Sequence, residues 1–336
     1  KMVKMVEEFM VKNSLMCYGG TAVNNILPVK DRFYDTTREI PDYDFYSPRA
    51  LQHAKELADI YYKAGYNEVE AKSGKHLGTY KVFVNYTPIA DITQMDERLY
   101  NELKKHSITV NHILYAPPNY LRMALYLELS RPAGDISRWE KLLKRINLLN
   151  KHYPIKTKKC DQMKSFIRSF TSKTHSTISV FQIIKNFLID QGVIFFGGWA
   201  FTVYSQFMDK KNKKKFNEYP DFDVISTDAE KCVNLLVSYI KTKGLKDVSY
   251  IKHDGLDEVI AEHYEVKIGS NTVAFIYQSL ACYSYNNYEV DKKVAKIATI
   301  ETIMSMYLAF IYANRDYFNY DKILCLFKLV YDIQQN

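Results

Sequence analysis

A Gly-Gly turn followed by an Asp-x-Asp strand occurs twice in this 336-residue chain. The first copy reads Tyr18-Gly19-Gly20-Thr21-Ala22, then Pro41-Asp42-Tyr43-Asp44-Phe45; the second reads Phe196-Gly197-Gly198-Trp199-Ala200, then Pro220-Asp221-Phe222-Asp223-Val224. Gly20 and Asp42 are 22 positions apart and Gly198 and Asp221 are 23 apart. The closing segments correspond too, Trp139-Glu140-Lys141-Leu142-Leu143 with Tyr320-Asp321-Lys322-Ile323-Leu324. The repeat therefore spans whole lobes, and the chain has to fold as two related halves. Pro154 and the basic run Lys156–Lys159 interrupt the helical pattern between them. The expected division is a first lobe at 1–158 and a second at 159–336.

Within each half the patterning alternates between helix and strand. In the first, apolar residues recur at helical spacing over 2–12, and a short helix leaves the Gly-Gly turn. Strand character follows at Asp42–Tyr46. A helix opened by Pro48 runs to about Lys63, with Leu51, Ala54, Leu57, Ala58 and Tyr61 on one face. Strands are expected at Tyr80–Tyr86 and Ile89–Thr93, and helices at 118–130 and 137–150. The second half repeats the order, with a helix at 176–191, a strand at Phe222–Ile225, a helix at 228–242, strands near 262–268 and 272–277, and helices at 295–312 and 320–334.

The first copy carries a recognisable chemistry. On a strand, residues i and i+2 share a face about 7 Å apart, so Asp42 and Asp44 present two carboxylates side by side. Hard oxygen ligands in that arrangement suit Mg²⁺, bound through one or two carboxylates plus substrate phosphates. Two-metal phosphoryl transfer calls for a further carboxylate nearby. Asp91 meets the need, because it stands alone in the apolar stretch Pro88-Ile89-Ala90-Asp91-Ile92, where an unpaired carboxylate is costly to bury. Gly19 and Gly20 let a phosphate approach the backbone, the following helix offers its free N–H groups, and Thr21 adds a hydroxyl donor.

The ordered set resembles the polymerase-beta-like nucleotidyltransferase superfamily. Within it, the likeness is to the poly(A) polymerases of large DNA viruses, the poxvirus catalytic subunit and its giant-virus relatives. The residues that carry it are Tyr18 to Asn24, Pro41 to Tyr46, Val84 to Thr93, Ser130-Arg131-Pro132 and Ser137 to Lys141. The resemblance implies an α+β fold of two tandem nucleotidyltransferase-like lobes, each a mixed sheet flanked by helices. It implies template-independent addition of AMP from ATP to an RNA 3′ end, with release of pyrophosphate and two Mg²⁺ or Mn²⁺ ions. Asp42 and Asp44 would hold both ions and Asp91 the one that activates the 3′-hydroxyl. Arg138, Lys141, Lys144 and Arg145 become candidates for the triphosphate. The partners implied are ATP and single-stranded RNA, and the place of action a host-cytoplasm virus factory or the virion. A CCA-adding or oligoadenylate synthase-like enzyme, or a non-catalytic RNA-binding subunit, would also fit.

The second copy keeps Gly197-Gly198 and Asp221/Asp223. Aligning Thr87–Thr93 with Gln278–Ser284 puts Cys282 opposite Asp91, and a thiol is a poor Mg²⁺ ligand. The second lobe is therefore expected to be degenerate, kept for packing, dimer contacts or RNA binding. A net charge of +8 is compatible with a polyanionic partner. The run Lys210–Lys215 reads as a solvated loop or a phosphate-backbone contact. Five scattered cysteines with no Cys-x-x-Cys spacing are expected to be plain thiols in a reducing compartment. No apolar stretch approaches the roughly 20 residues of a membrane span, nothing at the start resembles a signal peptide, and a first residue of Lys1 suggests that native N-terminal residues are missing. A homodimer is the expected route to processivity.

Overall fold

A computed structural model describes residues 1–34, 41–157, 160–172, 176–216 and 219–335. The chain divides into two compact units, Lys1–Arg122 with Glu140–Pro154, and Met123–Trp139 with Ile155–Asn336. The expected lobe boundary between residues 158 and 159 lies outside the described residues.

The first sheet belongs to the first unit. In chain order the elements run α1 (Met2–Asn13), β1 (Met16–Tyr18), α2 (Gly19–Ile26), β2 (Tyr43–Ser47), α3 (Ala50–Lys63), β3 (Val69–Ser73), β4 (Thr79–Val84), β5 (Thr87–Gln94), α4 (Glu97–Lys105), β6 (Ile108–Val110), β7 (Ile113–Tyr115), α5 (Pro118–Leu129, of which Met123–Leu129 falls in the second unit) and α6 (Trp139–His152). The second sheet follows with α7 (Thr177–Asp190), β8 (Ile194–Phe195), α8 (Gly198–Tyr204), α9 (Lys210–Lys213), β9 (Phe222–Ser226), α10 (Ala229–Thr242), β10 (Val248–His253), β11 (His263–Ile268), β12 (Asn271–Gln278), β13 (Tyr285–Val290), β14 (Lys293–Ala298), α11 (Ile300–Phe310) and α12 (Tyr320–Gln335). The sheet orders are β3-β4-β5-β2-β1-β7-β6 and β10-β11-β12-β9-β8-β14-β13. Matched strand for strand they are the same order, with β2/β5 and β9/β12 parallel and the flanking hairpins antiparallel. The expected α+β architecture of two mixed sheets flanked by helices is thus what the chain adopts.

Alternation on β2 sets the two faces of the first sheet. Tyr43, Phe45 and Ser47 are buried, and the Tyr43 hydroxyl donates to Glu7 Oε1 of α1 at 2.5 Å. Asp44 and Tyr46 therefore point to the opposite face. Helix α3 buries Ala50, His53, Ala54, Leu57 and Tyr61, whereas Leu51 is 47% exposed. The expectation that Leu51 shares the buried face is corrected: the helix begins at Ala50, the stripe is centred on Ala50, Leu57 and Tyr61, and Leu51 lies about 100° around from it.

Two further expectations are corrected. Cys160 and Cys325 form a disulfide across 165 positions, because the turn at Cys160–Gln162 packs against α12; Cys17, Cys232 and Cys282 are free. The lysine run is partly helical, with Asp209 capping α9. Its Lys211 bonds Asp161 at 2.7 Å, and buried Lys215 donates to the Cys160 carbonyl and lies 4.6 Å from the Phe166 ring centroid.

Helix α6 is held by a buried arginine. Arg122 is 0% exposed and donates to Asn150 Oδ1 (2.8 Å) and to the carbonyls of Leu149 (3.2 Å) and Tyr153 (2.5 Å). A cation there satisfies carbonyls that a helix C-terminus leaves open. Arg122→Ala is expected to lower the unfolding free energy by roughly 3 kcal/mol and to speed amide exchange along the last turns of α6. Unchanged hydrogen-exchange protection there would contradict this anchoring role.

Candidate active site

The strand register builds the site directly. Asp44 on β2 stands opposite Asp91 on β5, Asp91 stands opposite Lys81 on β4, and Asp44 stands opposite Tyr18 on β1. Cross-strand partners share a face, so Lys81, Asp91, Asp44 and Tyr18 form one row across four strands. Asp42, one residue before β2, is exposed beside it.

Like charges make this row electrostatically costly. Burial first, and then the charges of Asp42 and Asp91, raise the Asp44 carboxyl to about 7 against the opposing charges of Lys81 and Arg145. Burial and Asp91 also raise Asp42. The Lys81 ammonium bonds Asp91 Oδ2, while Asp91 Oδ1 is buried with no hydrogen-bond partner among the described residues. Lys81 was not among the residues read from the sequence. Its role depends on cross-strand register, and Tyr80-Lys81-Val82 alone does not show which carboxylate faces it.

The Gly-Gly turn is shaped by the same row. Gly19 has φ +71°, and a Cβ there would lie 2.6 Å from Asp44 Oδ2. At Gly20 a Cβ would collide with the Tyr34 hydroxyl and come within 2.7 Å of an Arg145 guanidinium nitrogen, so the ends of both side chains would have to shift. Thr21, expected to offer its hydroxyl to a phosphate, is buried and donates to the Asp42 carbonyl at 2.8 Å, which fixes the backbone that carries the first carboxylate.

Residues 4–135 match the family of poly(A) polymerase catalytic subunits. Over 159 residues the chain is 33% identical to the "Putative poly(A) polymerase catalytic subunit" of African swine fever virus, covering 46% of this chain and 33% of that protein. The identically named protein of Acanthamoeba polyphaga mimivirus is 33% identical over 159 residues, covering 46% of this chain and 26% of its own length. The match thus spans about a third or less of the curated relatives. The fold resembles the crystal structure of the Megavirus polyadenylate synthase, with TM-score 0.81 at 20% identity over 99% of this chain and 68% of that one. This chain resembles the poly(A) polymerase catalytic subunits of large DNA viruses.

Of the four basic residues that this resemblance singles out, Arg145 is the one that reaches the Gly-Gly turn. It is 5% exposed, donates to the Tyr34 hydroxyl at 2.6 Å, and lies 5.0 Å from the Phe33 ring centroid. Its Nε is buried without a hydrogen-bond partner among the described residues. Lys144 is exposed and pairs with Glu140 at 3.1 Å, and Lys141 is exposed. Arg138 belongs to the second unit and pairs with Glu128 at 3.2 Å.

The carboxylate row makes the fold sensitive to pH. A carboxyl raised on folding binds its proton more tightly in the native state, so its contribution to stability is complete below the unfolded value of 3.8 and is lost as pH rises to about 7. With chelator present, urea unfolding should show wild type losing stability relative to Asp44→Asn between roughly pH 4 and pH 7. A difference that is flat or grows the other way would contradict the mutual repulsion of the row.

Proposed function

We propose that the chain is a template-independent poly(A) polymerase that adds AMP from ATP to mRNA 3′ ends and releases pyrophosphate. The observation that carries this reading is that Asp44 and Asp91 pair across β2 and β5 with Asp42 beside them, against a turn whose Gly19 has φ +71° and packs on the Asp44 carboxylate.

Divalent ions fit the residues present. Asp91 Oδ1 has no hydrogen-bond partner among the described residues, Asp44 is raised by burial and by its acidic neighbours, and the cleft over Gly19 is one that a Cβ would fill. Among the described residues no three His, Cys, Asp or Glu side chains converge tightly enough to enclose an ion as they stand; Lys81 is the cation paired with Asp91. Asp42 and Asp44 would hold two Mg²⁺ or Mn²⁺ ions, with Asp91 on the ion nearer the RNA 3′-hydroxyl. Bound there, the ions would acidify that hydroxyl and neutralise the leaving pyrophosphate.

The chain's own residues supply the rest. Gly20 and the first N–H groups of α2 receive the triphosphate, and Arg145, locked between Phe33 and Tyr34, offers it a guanidinium of fixed orientation. Lys81, which neighbours Asp91 on the carboxylate row, would offer its ammonium to a phosphate oxygen. Lys141, Lys144 and Arg138 remain candidates for longer-range attraction. The second lobe, proposed to span 159–336, is a degenerate partner kept for packing, dimer contacts or RNA binding. No helix among the described residues is long and apolar enough to cross a membrane. The matched relatives are viral proteins, and the proposed place of action is the virus factory or the virion, on single-stranded RNA and as a homodimer.

Tailing of a labelled oligo(A) primer with ATP and Mg²⁺ tests the reading. Asp91→Asn is expected to lose nearly all tailing, because a ligand of the ion nearer the 3′-hydroxyl is removed, while Asp221→Asn, which keeps an acceptor for its arginine, retains most of it. Incorporation that is absent in wild type, or lost equally in both variants, would overturn the assignment of the first lobe as the working one.

A further inference from the structure

The second sheet keeps the architecture of the row and replaces its chemistry. Asp223 on β9 stands opposite Phe275 on β12, and Phe275 stands opposite Glu265 on β11. Position for position, Phe275 occupies the place of Asp91 and Glu265 that of Lys81. The counterpart of Asp91 is therefore Phe275 and not Cys282, which lies beyond β12 and is exposed. The third carboxylate is absent all the same, and an aromatic ring fills its place.

Two acidic residues remain, almost wholly buried at 1% (Asp221) and 6% (Asp223) exposure. Burial raises both carboxyls, and Arg168 opposes it. Arg168 Nε donates to Asp221 Oδ2 at 2.6 Å and a terminal nitrogen donates to Asp223 Oδ1 at 2.7 Å. Its other terminal nitrogen donates to the Tyr317 carbonyl at 3.3 Å, and its guanidinium lies 4.6 Å from the Phe275 ring centroid. One planar cation thus bridges both carboxylates and stacks on the residue that replaced the third.

The surviving glycines have a packing explanation. A Cβ on Gly197 would overlap the Asp223 carboxylate, and one on Gly198 would lie 2.7 Å from Pro220 Cβ. Neither glycine needs a phosphate to account for it. A cavity of about 220 Å³ opens above, with Arg168, Tyr307, Phe310, Tyr317 and Lys322 among its lining.

We propose that Arg168 is a resident cation standing where divalent ions would sit, so that the second lobe's Asp221/Asp223 pair is permanently compensated and takes no metal. The inference stands whichever reaction the first lobe performs. Unlike Lys81, which pairs with one carboxylate through a single ammonium, Arg168 holds both aspartates, a carbonyl and a ring, and a metal ion would have to displace all four contacts. The lobe then keeps the nucleotidyltransferase shape without its ions, and any ligand of the cavity binds without them.

The test uses the full chain and Mn²⁺ alone. Arg168→Ala should lower the melting temperature in chelator by roughly 10 °C, recover part of it in millimolar Mn²⁺, and bind one more Mn²⁺ by electron paramagnetic resonance than wild type. Adding Asp221→Asn should abolish both gains. If Arg168→Ala does not fold, the full-length Asp42→Asn/Asp44→Asn protein still decides the matter, because it should bind no Mn²⁺ at millimolar concentration. Mn²⁺ binding by that protein that disappears on Asp221→Asn, or an Arg168→Ala protein as stable as wild type and indifferent to Mn²⁺, would overturn the proposal.

Discussion

Carboxylates gathered on one face of a sheet repel one another, and a partly dry face does not let water screen them. Some cation must stand among them for the sheet to be stable, and the nature of that cation separates the two halves of this chain. In the first lobe Lys81 meets Asp91 through one flexible side chain, Asp91 Oδ1 has no hydrogen-bond partner among the described residues, and Asp44 is raised to about 7. On the proposed function, that arrangement would be open to exchange for divalent cations. In the second lobe Arg168 satisfies both aspartates at once and is itself stacked and bonded. The same backbone therefore supports an open site and a closed one.

The backbone is shared to a fine level. Strand order and pairing sense agree across seven strands in each sheet, and in both the first glycine of the pair gives way to the second aspartate of the strand below. Much of what makes the motif recognisable is thus a packing requirement between a turn and a carboxylate. The motif can persist after its chemistry has gone, and the residues on the neighbouring strands decide whether it is in use.

The glycine pairs, the Asp-x-Asp strands and the lobe-length repeat were legible because each imposes a fixed local spacing. Asp91 was legible as a charged residue with no local reason to sit in an apolar strand. Its counterpart was not: Asp44 and Asp223 differ by 179 positions, whereas Asp91 and Phe275 differ by 184, and the extra residues before β12 shift any alignment anchored on the motif. Phe275 is one phenylalanine among 18 and gives no signal of its own. Lys81 and Arg168 depend on tertiary placement, Lys81 on a hairpin register and Arg168 on a segment before α7 that meets the aspartates only in the folded chain. The Cys160–Cys325 bond likewise joins residues whose proximity arises only when the turn at Cys160 meets α12.

On the proposed function, metal-dependent chemistry is confined to one of two similar lobes. Anomalous diffraction from crystals grown with Mn²⁺ and a non-hydrolysable ATP analogue tests it most directly. Manganese peaks are predicted among Asp42, Asp44 and Asp91, with no peak beside Asp221 and Asp223 and with Arg168 still bridging them. Peaks in the second lobe, or an empty carboxylate row in the first, would contradict the account.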